Sequence, residues 1–374
     1  MGMTNIISTD NVKKVYQMRG GNVHALRGIT LDIFKGEYLS IMGPSGSGKS
    51  TFFNIVGALD NQSSGLVYVD GTDLSLMNSK ELAWFRCNKI GYIFQTFNLI
   101  PTFTALENVM LAAIFRMQTQ EQANLQAKNI LEAVGLKDRM FHLPNELSGG
   151  QMQRVAVARA LAVEPSVLLL DEPLAALDLK LRQHMRSELR AIQKKTGVTF
   201  IYITHDQGEA LTMSDRIAVM NNGIIEQIDT TDNVYDKPTT PFVASFVGQS
   251  NVFKGVIKSV SDDLAVIETV HGTFQGKASG KLTNASNAMM FVRPEKIRIG
   301  GEQQQNSIKA ILTRRDLEGA YVNLFLQASG EEIVLHLTKG ADLSSLNIID
   351  DQSEHIISFA SRDALILPEG ELAA

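Results

Sequence analysis

Short apolar runs alternate with helical segments from about residue 36 to residue 204. This alternation predicts an α/β domain whose sheet is parallel at its centre and covered by helices. Three runs, at residues 38–42, 167–170 and 198–204, are rich in β-branched, leucine or aromatic residues, as expected for strands buried on both faces. Polar residues follow each run at its carboxyl end. Open α/β sheets bind ligands at the edge formed by the carboxyl ends of their strands. The pattern therefore predicts one site assembled from distant segments.

The character of the chain changes near residues 237–249, where the run KPTTPFVASFVGQ carries two prolines and then a short apolar stretch. Beyond this run, strand-like segments alternate with turn signals, and their spacing predicts a small all-β barrel or sandwich. We expect strands at residues 251–260, 265–274, 289–292, 308–312, 321–328, 332–337 and 355–359. The expected domains are residues 1–240 and residues 241–374.

Composition adds limits on the class of protein. The chain has 374 residues, of which 44% are hydrophobic and 20% charged, and this balance is typical of a soluble globular protein. A net charge of −5 leaves no large basic surface, so nucleic acid is not expected as a main partner. Cys87 is the single cysteine, which excludes an intramolecular disulfide and favours a reducing cytoplasm. We find no secretion signal and no apolar run of the roughly 20 residues that span a bilayer, so a membrane role would need a partner protein.

The run GPSGSGKST follows the first predicted strand and satisfies the P-loop pattern G-x-x-x-x-G-K-[ST]. Its glycines allow successive backbone N–H groups to turn inward at the start of a helix, which makes a site for phosphate. Lys49 is placed to reach the β and γ phosphates of ATP, and the hydroxyl of Ser50 can bind Mg²⁺. The alternative is a glycine-rich turn with an exposed lysine, which the preceding strand disfavours. The predicted phosphate-binding residues are Gly43, Pro44, Ser45, Gly46, Ser47, Gly48, Lys49, Ser50 and Thr51.

Three further candidates for the site follow the other two predicted strands. The run SVLLLDEP ends in adjacent carboxylates, and because side chains alternate along an extended segment we expect Asp171 to face Mg²⁺ and Glu172 to face the attacking water. The alternative is a solvated acidic turn. His205 follows the third strand, at the same sheet edge as the P-loop, so we expect it to bond the γ phosphate. A lone histidine would otherwise be a core or surface residue.

The P-loop, the run LSGGQMQR, the run LLLDEP and the run THD together resemble the nucleotide-binding subunits of ABC transporters. The resemblance implies a P-loop NTPase domain with a mixed sheet and a helical subdomain at about residues 97–160. It also implies that Tyr16 stacks on adenine and that Gln95 senses Mg²⁺ and the γ phosphate. The signature residues Ser148, Gly149 and Gly150 would contact ATP held by the opposite subunit of a head-to-tail homodimer.

Asp178, in the run LAALD, resembles the loop through which the two sites of such a dimer communicate. A surface aspartate that caps the next helix is an equally good interpretation. Both interpretations remain open at the level of sequence.

The second domain resembles the OB-like accessory (TOBE-like) domain of importer ATPases for maltose, polyamines and ferric ion, in the runs FVASFVGQSNVFKGVI, FVRPEKIRI and DALILPEG. The run DQGEALTMSDRIAVMNNGIIEQ is similar to the spermidine/putrescine type. This resemblance implies ATP-driven polyamine uptake at the cytoplasmic face of the cell membrane, with two integral membrane permease subunits and a separate solute-binding protein. The runs NIVGALDNQSSG and IFQTFNLIPTFTALENV instead resemble lipoprotein-releasing and macrolide-exporting ATPases.

Several alternatives stay open. Iron, sugar or phosphonate could replace polyamine as the cargo, and the chain could serve an export complex. A soluble ABC factor in translation or repair is disfavoured. Such proteins usually carry two ATPase cassettes in one chain or long coiled-coil insertions, and this sequence shows neither. The second domain could also dock a cytosolic regulator.

Overall fold

The structure is a computed structural model that describes residues 4–116, 119–175, 177–300, 306–319, 321–338 and 354–373. The chain divides into two compact units, Met1–Asp232 and Asn233–Ala374. The division predicted between residues 240 and 241 lies a little further along the chain, inside the second unit.

The first unit contains two sheets. Its strands are β1 Asn5–Met18, β2 Gly21–Phe34, β3 Tyr38–Met42, β4 Ser64–Val69, β5 Thr72–Asp73, β6 Ile90–Ile93, β7 Val167–Asp171, β8 Thr199–Ile203, β9 Arg216–Asn221 and β10 Ile224–Thr230. The larger sheet has the order β10-β9-β3-β8-β7-β6, with parallel pairing from β9 through β6 and an antiparallel edge at β10. The mixed α/β sheet predicted from sequence is confirmed. The smaller sheet, β2-β1-β4-β5, is antiparallel and was not predicted.

Helices follow the strands in the order expected. They are α1 Lys49–Val56, α2 Ser79–Lys89, α3 Ala105–Phe115, α4 Gln120–Ala133, α5 Gly149–Leu161, α6 Leu179–Thr196, α7 Gln207–Met213, α8 Thr231–Asp236 and α9 Pro241–Phe246. Short 3-10 turns lie at Leu74–Leu76, Lys137–Arg139, Pro144–Glu146, Pro294–Lys296 and Ser361–Asp363.

Three consecutive helices form the segment predicted to be a helical subdomain. Helices α3, α4 and α5 each begin with a capping box, in which the first residue's hydroxyl and a Glu or Gln three positions later satisfy each other's backbone N–H groups. Leu106, Val109, Ala127, Leu131 and Val155 from these helices are buried in one apolar cluster. The segment therefore has a core of its own.

From residue 251 onward, the described part of the second unit is built of β-strands and short 3-10 turns, as predicted, and helix α9 precedes them. Its strands are β11 Asn251–Ser261, β12 Leu264–Thr269, β13 Gly272–Ala278, β14 Asn287–Val292, β15 Arg298–Ile299, β16 Asn306–Glu318, β17 Tyr321–Ala328, β18 Glu331–Thr338, β19 Glu354–Phe359 and β20 Ala364–Pro368. A closed barrel has the order β11-β12-β13-β20-β14, and a further sheet has the order β15-β19-β16-β17-β18. The strand predicted at 265–274 is wrong, because Thr269 pairs with Gly272 across a tight turn that splits it into β12 and β13.

Candidate functional site

The carboxyl ends of β3, β8 and β7 lie side by side. These strands are adjacent and parallel, and Ile203 at the end of β8 pairs with Ile41 of β3 and with Asp171 of β7. The P-loop follows β3, Glu172 follows β7 and His205 follows β8. The sheet therefore brings three distant segments to one edge, as their sequence pattern predicted.

The P-loop ends on a left-handed glycine that starts helix α1. Gly48 has φ of 103° and ψ of 0°, and it gives the helix no side-chain cap. The first N–H groups of a helix lack partners within the helix, and together with the helix dipole they attract anions. The start of α1 therefore has the backbone features of the phosphate site predicted from the glycine spacing.

Lys49 lies across the P-loop. Its Nζ donates hydrogen bonds to the carbonyl oxygens of Gly43 and Pro44 at 2.8 and 2.9 Å. Burial lowers the pKa of the Lys49 ammonium, while the nearby charges of Glu172 and Asp171 oppose that shift. The ammonium is therefore held in place near the two carboxylates, Asp171 and Glu172, at the end of β7.

Asp171 and Glu172 occupy different environments, but not for the reason expected. Strand β7 ends at Asp171, and Glu172 has a left-handed φ of 44°, so strand alternation does not apply to this pair. The N–H of Glu172 donates to the carbonyl of Ile203 at 3.0 Å, which fixes the turn. Burial, with the charge of Glu172, raises the pKa of Asp171, and Lys49 opposes the shift. A backbone turn rather than the pleat separates the two carboxylates.

His205 contacts Glu172 directly. The distance from His205 Nδ1 to Glu172 Oε1 is 3.1 Å, and 66% of the histidine side chain is exposed. A carboxylate only accepts, so a hydrogen bond at this distance is donated by the Nδ1–H of His205 to Glu172. These two predicted catalytic residues therefore form a pair.

A cavity of about 600 Å³ joins the predicted residues. It is lined by Tyr16, by Glu172 and His205, and by the P-loop residues Gly43, Ser45, Gly46, Gly48, Lys49, Ser50 and Thr51. Tyr16 is held at one side, where its hydroxyl donates to Asp60 at 2.8 Å. The remaining P-loop residues, Pro44 and Ser47, keep the loop's shape, because the N–H of Ser47 donates to the carbonyl of Pro44.

Sequence reasoning missed three lining residues of the cavity, Val23, His24 and Ala25. They lie on β2, whose antiparallel register places Val23 opposite Tyr16. That register is irregular, with several shifts between β1 and β2. A correct β1–β2 hairpin prediction would have pointed to them.

Other predicted residues do not line this cavity. Gln95 is exposed just beyond β6, which pairs with β7 and so ends at the same sheet edge. Ser148 is exposed and caps α5, accepting from the N–H of Gln151. Asp178 is also exposed and caps α6, accepting from the N–H of Leu181 at 2.9 Å. The capping interpretation of Asp178 therefore holds, and it leaves the communication role open.

The predicted magnesium ligands are compatible with that ion. Within the residues that the structure describes, no cluster of three or more His, Cys, Asp or Glu side chains could hold a metal by itself. Mg²⁺ usually takes one or two protein oxygens together with substrate phosphates and water. Asp171 supplies a carboxylate beside the P-loop, and the exposed hydroxyl of Ser50 lies at the start of α1.

Comparison with known proteins agrees with this geometry. The family model described as ABC transporter matches residues 26–175, and the TOBE domain model matches residues 290–367. The spermidine/putrescine import ATP-binding protein PotA of Thermobifida fusca is 38% identical over 97% of this chain and 93% of its own length. The uncharacterized ABC transporter ATP-binding protein YdcT of Escherichia coli is 41% identical over 90% of this chain and 94% of its own length.

Among solved structures, the dimeric post-hydrolysis state of the ATP-binding cassette MJ0796 with ADP and Pi is 41% identical to this chain, with a TM-score of 0.55. It covers 60% of this chain, and the match spans 98% of the cassette. The fold and the cavity define a P-loop protein that binds ATP. The chain belongs to the ATP-binding subunits of ABC transporters, and it is an ATPase of that family. In the described part of the chain, no helix combines the length and apolarity needed to cross a membrane.

Proposed function

We propose that this chain hydrolyses ATP to energise the import of polyamines of the spermidine/putrescine type. The observation that carries the ATPase part is the cavity that gathers Tyr16, the P-loop, Glu172 and His205. The import and polyamine part rests on relatives named for spermidine/putrescine import, which are similar over nearly the whole chain.

ATP fits the cavity in one direction. Adenine stacks on the ring of Tyr16, which Asp60 holds through the tyrosine hydroxyl. The triphosphate then lies along the P-loop, where the N–H groups at the start of α1 donate hydrogen bonds to its oxygens. Lys49 leaves the carbonyls of Gly43 and Pro44 and bonds the β and γ phosphates.

The catalytic pair acts at the γ phosphate. Glu172 orients or deprotonates the attacking water, and His205 bonds a γ-phosphate oxygen. The contact of 3.1 Å between the two keeps the imidazole in one orientation. Ser50, Asp171 and Gln95 would hold Mg²⁺, which neutralises charge on the phosphates when it is bound. Catalysis is then mainly positioning and charge stabilisation.

A second copy of the chain completes the site. Ser148 is exposed at the start of α5 and does not line the cavity of its own chain, so it is accessible to ATP bound by another copy. Gly149 and Gly150 follow it at the N-terminus of α5, which would also approach the ATP of the other copy. ATP binding would therefore close a head-to-tail homodimer, and hydrolysis would open it. Asp178, beside this interface, would connect the two sites.

The remaining partners belong to the same proposal. Two integral membrane permease subunits would anchor the homodimer at the cytoplasmic face of the cell membrane, and a solute-binding protein would deliver the cargo. Nucleic acid is not expected as a partner.

Glu172→Gln tests the ATPase proposal. The variant should bind Mg²⁺-ATP with unchanged affinity, lose on the order of 100-fold or more in kcat, and accumulate as a dimer in size-exclusion chromatography with light scattering. Glu132→Gln is a matched control, because Glu132 lies exposed on α4, away from the cavity, and pairs with Lys137. Normal turnover in Glu172→Gln would contradict the role of Glu172.

Uptake assays test the cargo. Cells that lack the gene and its permease partners should regain uptake of labelled spermidine or putrescine when the genes are restored with wild-type chain, but not with Glu172→Gln. Restored uptake of iron, sugar or phosphonate instead would favour those importers. Efflux without uptake would favour an export complex.

A further inference from the structure

The row of arginines on helix α6 faces the acidic residues that follow β8. Arg182, Arg186 and Arg190 are four positions apart, so they lie on one face of the helix. The first two contact Asp206 and Glu209, whereas Arg190 contacts Asp215. The functional roles described above use none of these contacts.

Glu209 is the most buried member of this group. Its side chain is 4% exposed, and one oxygen accepts hydrogen bonds from the hydroxyls of Tyr202 and Thr204, both at 2.7 Å. The other oxygen lies 3.9 Å from Arg182 Nε and 3.8 Å from Arg186 Nη2. A buried carboxylate is tolerated only with such partners, so these side chains form one connected unit.

This unit fixes the backbone of His205 on both sides. Thr204 donates to Glu209 and accepts from the N–H of Asp206 at 3.0 Å. Asp206 accepts from the N–H of Glu209 at 3.0 Å and pairs with Arg186 at 3.0 Å. Because the His205 side chain is mostly exposed, its position depends on this backbone and on the contact with Glu172 rather than on packing.

The same unit reaches the loop that carries Asp178. Arg182 Nη2 donates to the carbonyl of Leu177 at 3.0 Å, one residue before Asp178, while its other nitrogens face Asp206 and Glu209. The planar guanidinium therefore spans both loops, which a lysine cannot do.

We propose that Glu209 and Arg182 are positioning residues that hold His205 and couple it to the Asp178 loop. The proposal rests on the proposed role of His205 in ATP hydrolysis. A shift of the Asp178 loop, when a second subunit approaches, would move Arg182 and through Glu209 the backbone of His205. Each site would thus respond to the arrival of its partner.

Steady-state ATPase kinetics of the full chain test this coupling. Arg182→Lys keeps the positive charge but loses the planar guanidinium that contacts both loops. Glu209→Gln keeps the shape of the side chain but loses its negative charge. Each should lower kcat by on the order of 10- to 100-fold and leave KM for ATP within about twofold, since misplacing a catalytic group costs rate rather than binding. Arg190→Lys is the matched control on the same helix and should keep wild-type kcat.

A double-mutant cycle with His205→Ala separates positioning from general damage. In the His205→Ala background, Arg182→Lys and Glu209→Gln should each change kcat by less than about twofold, because they act through a side chain that is already gone. Full additive losses, an equal loss in Arg190→Lys, or a matching rise in KM would overturn the proposal. If His205→Ala alone kept wild-type kcat, the role of His205 itself would be wrong. Should Glu209→Gln fail to fold, Arg182→Lys decides the question.

Discussion

Gly48 offers a direct test of how the phosphate site is built. A Cβ at this position would lie 2.6 Å from the carbonyl oxygen of Ala25 and 3.0 Å from a methyl carbon of Leu26, and φ is 103°. Gly46 has a similar left-handed φ of 79°, but a Cβ there would meet nothing within 4 Å. The substitutions Gly48→Ala and Gly46→Ala therefore share the backbone cost and differ in the steric overlap.

The magnitudes follow from that difference. A non-glycine residue in the left-handed region lowers the free energy of unfolding by about 1–2 kcal/mol, and this cost is common to both variants. The gain from a less flexible unfolded chain, about 0.4–1 kcal/mol, also cancels between them. Relieving the overlap with a backbone carbonyl adds about 1–3 kcal/mol to Gly48→Ala alone. At about 2–4 °C per kcal/mol for a unit of this size, Gly48→Ala should melt about 2–12 °C below Gly46→Ala.

The assay is differential scanning calorimetry without nucleotide, because bound ATP would itself raise Tm. A chain with two compact units can unfold in two steps, so the relevant transition is the one that ATP raises in wild-type protein. Both variants should bind ATP more weakly, since both glycines line the cavity. Equal melting temperatures for the two variants would refute the steric account of Gly48.

Substitutions at Asp171, Tyr16 and Arg293 have effects that the structure also predicts. Burial raises the pKa of Asp171 above its ordinary 3.8, so its ionisation lowers the stability of the folded chain as pH rises. Without nucleotide, Asp171→Asn should therefore melt at a higher temperature than wild type at neutral pH, and this difference in Tm should vanish as pH falls towards 3.8. A difference in Tm that widens in acid would contradict this. Tyr16→Phe should keep ATP affinity within about twofold, whereas Tyr16→Ala should weaken it by about 1–3 kcal/mol in calorimetric titration, and equal affinities would argue against stacking. Arg293 donates to the carbonyls of Tyr235, Ala244 and Gln249, so Arg293→Lys should destabilise the second unit by about 2–4 kcal/mol in chemical denaturation, and an unchanged midpoint would refute that role.

The central sheet could be predicted because its strands carry a simple pattern. Strands β3 and β8 are buried at every position, so their sequences are almost continuous apolar runs. Both end at the carboxyl edge of the sheet, where the cavity lies. Helix α6 could be recognised from its basic last turn and from Gly197, which ends it in a left-handed conformation. In these segments, local composition and tertiary position favour the same structure.

The antiparallel sheet could not be predicted in the same way. Strands β1 and β2 are each 14 residues long, and register shifts interrupt their pairing at several points. The shifts interrupt the alternation of buried and exposed side chains, which holds only over short stretches such as residues 29–33 of β2. Val23 and His24 reach the cavity through this register, and for that reason sequence reasoning missed them.

The two carboxylates at the end of β7 show that a residue prediction can rest on the wrong geometry. The run LLLDEP identified Asp171 and Glu172, but alternation along a strand would have needed Glu172 to remain extended. Its left-handed φ of 44° instead carries a strain of about 1–3 kcal/mol, which persists only where surrounding contacts enforce it. The hydrogen bond from its N–H to Ile203 ties this strained residue to the strand that leads into His205. The turn therefore sets the positions of the proposed base and its histidine partner together, and that coupling appears only once β7 and β8 are paired.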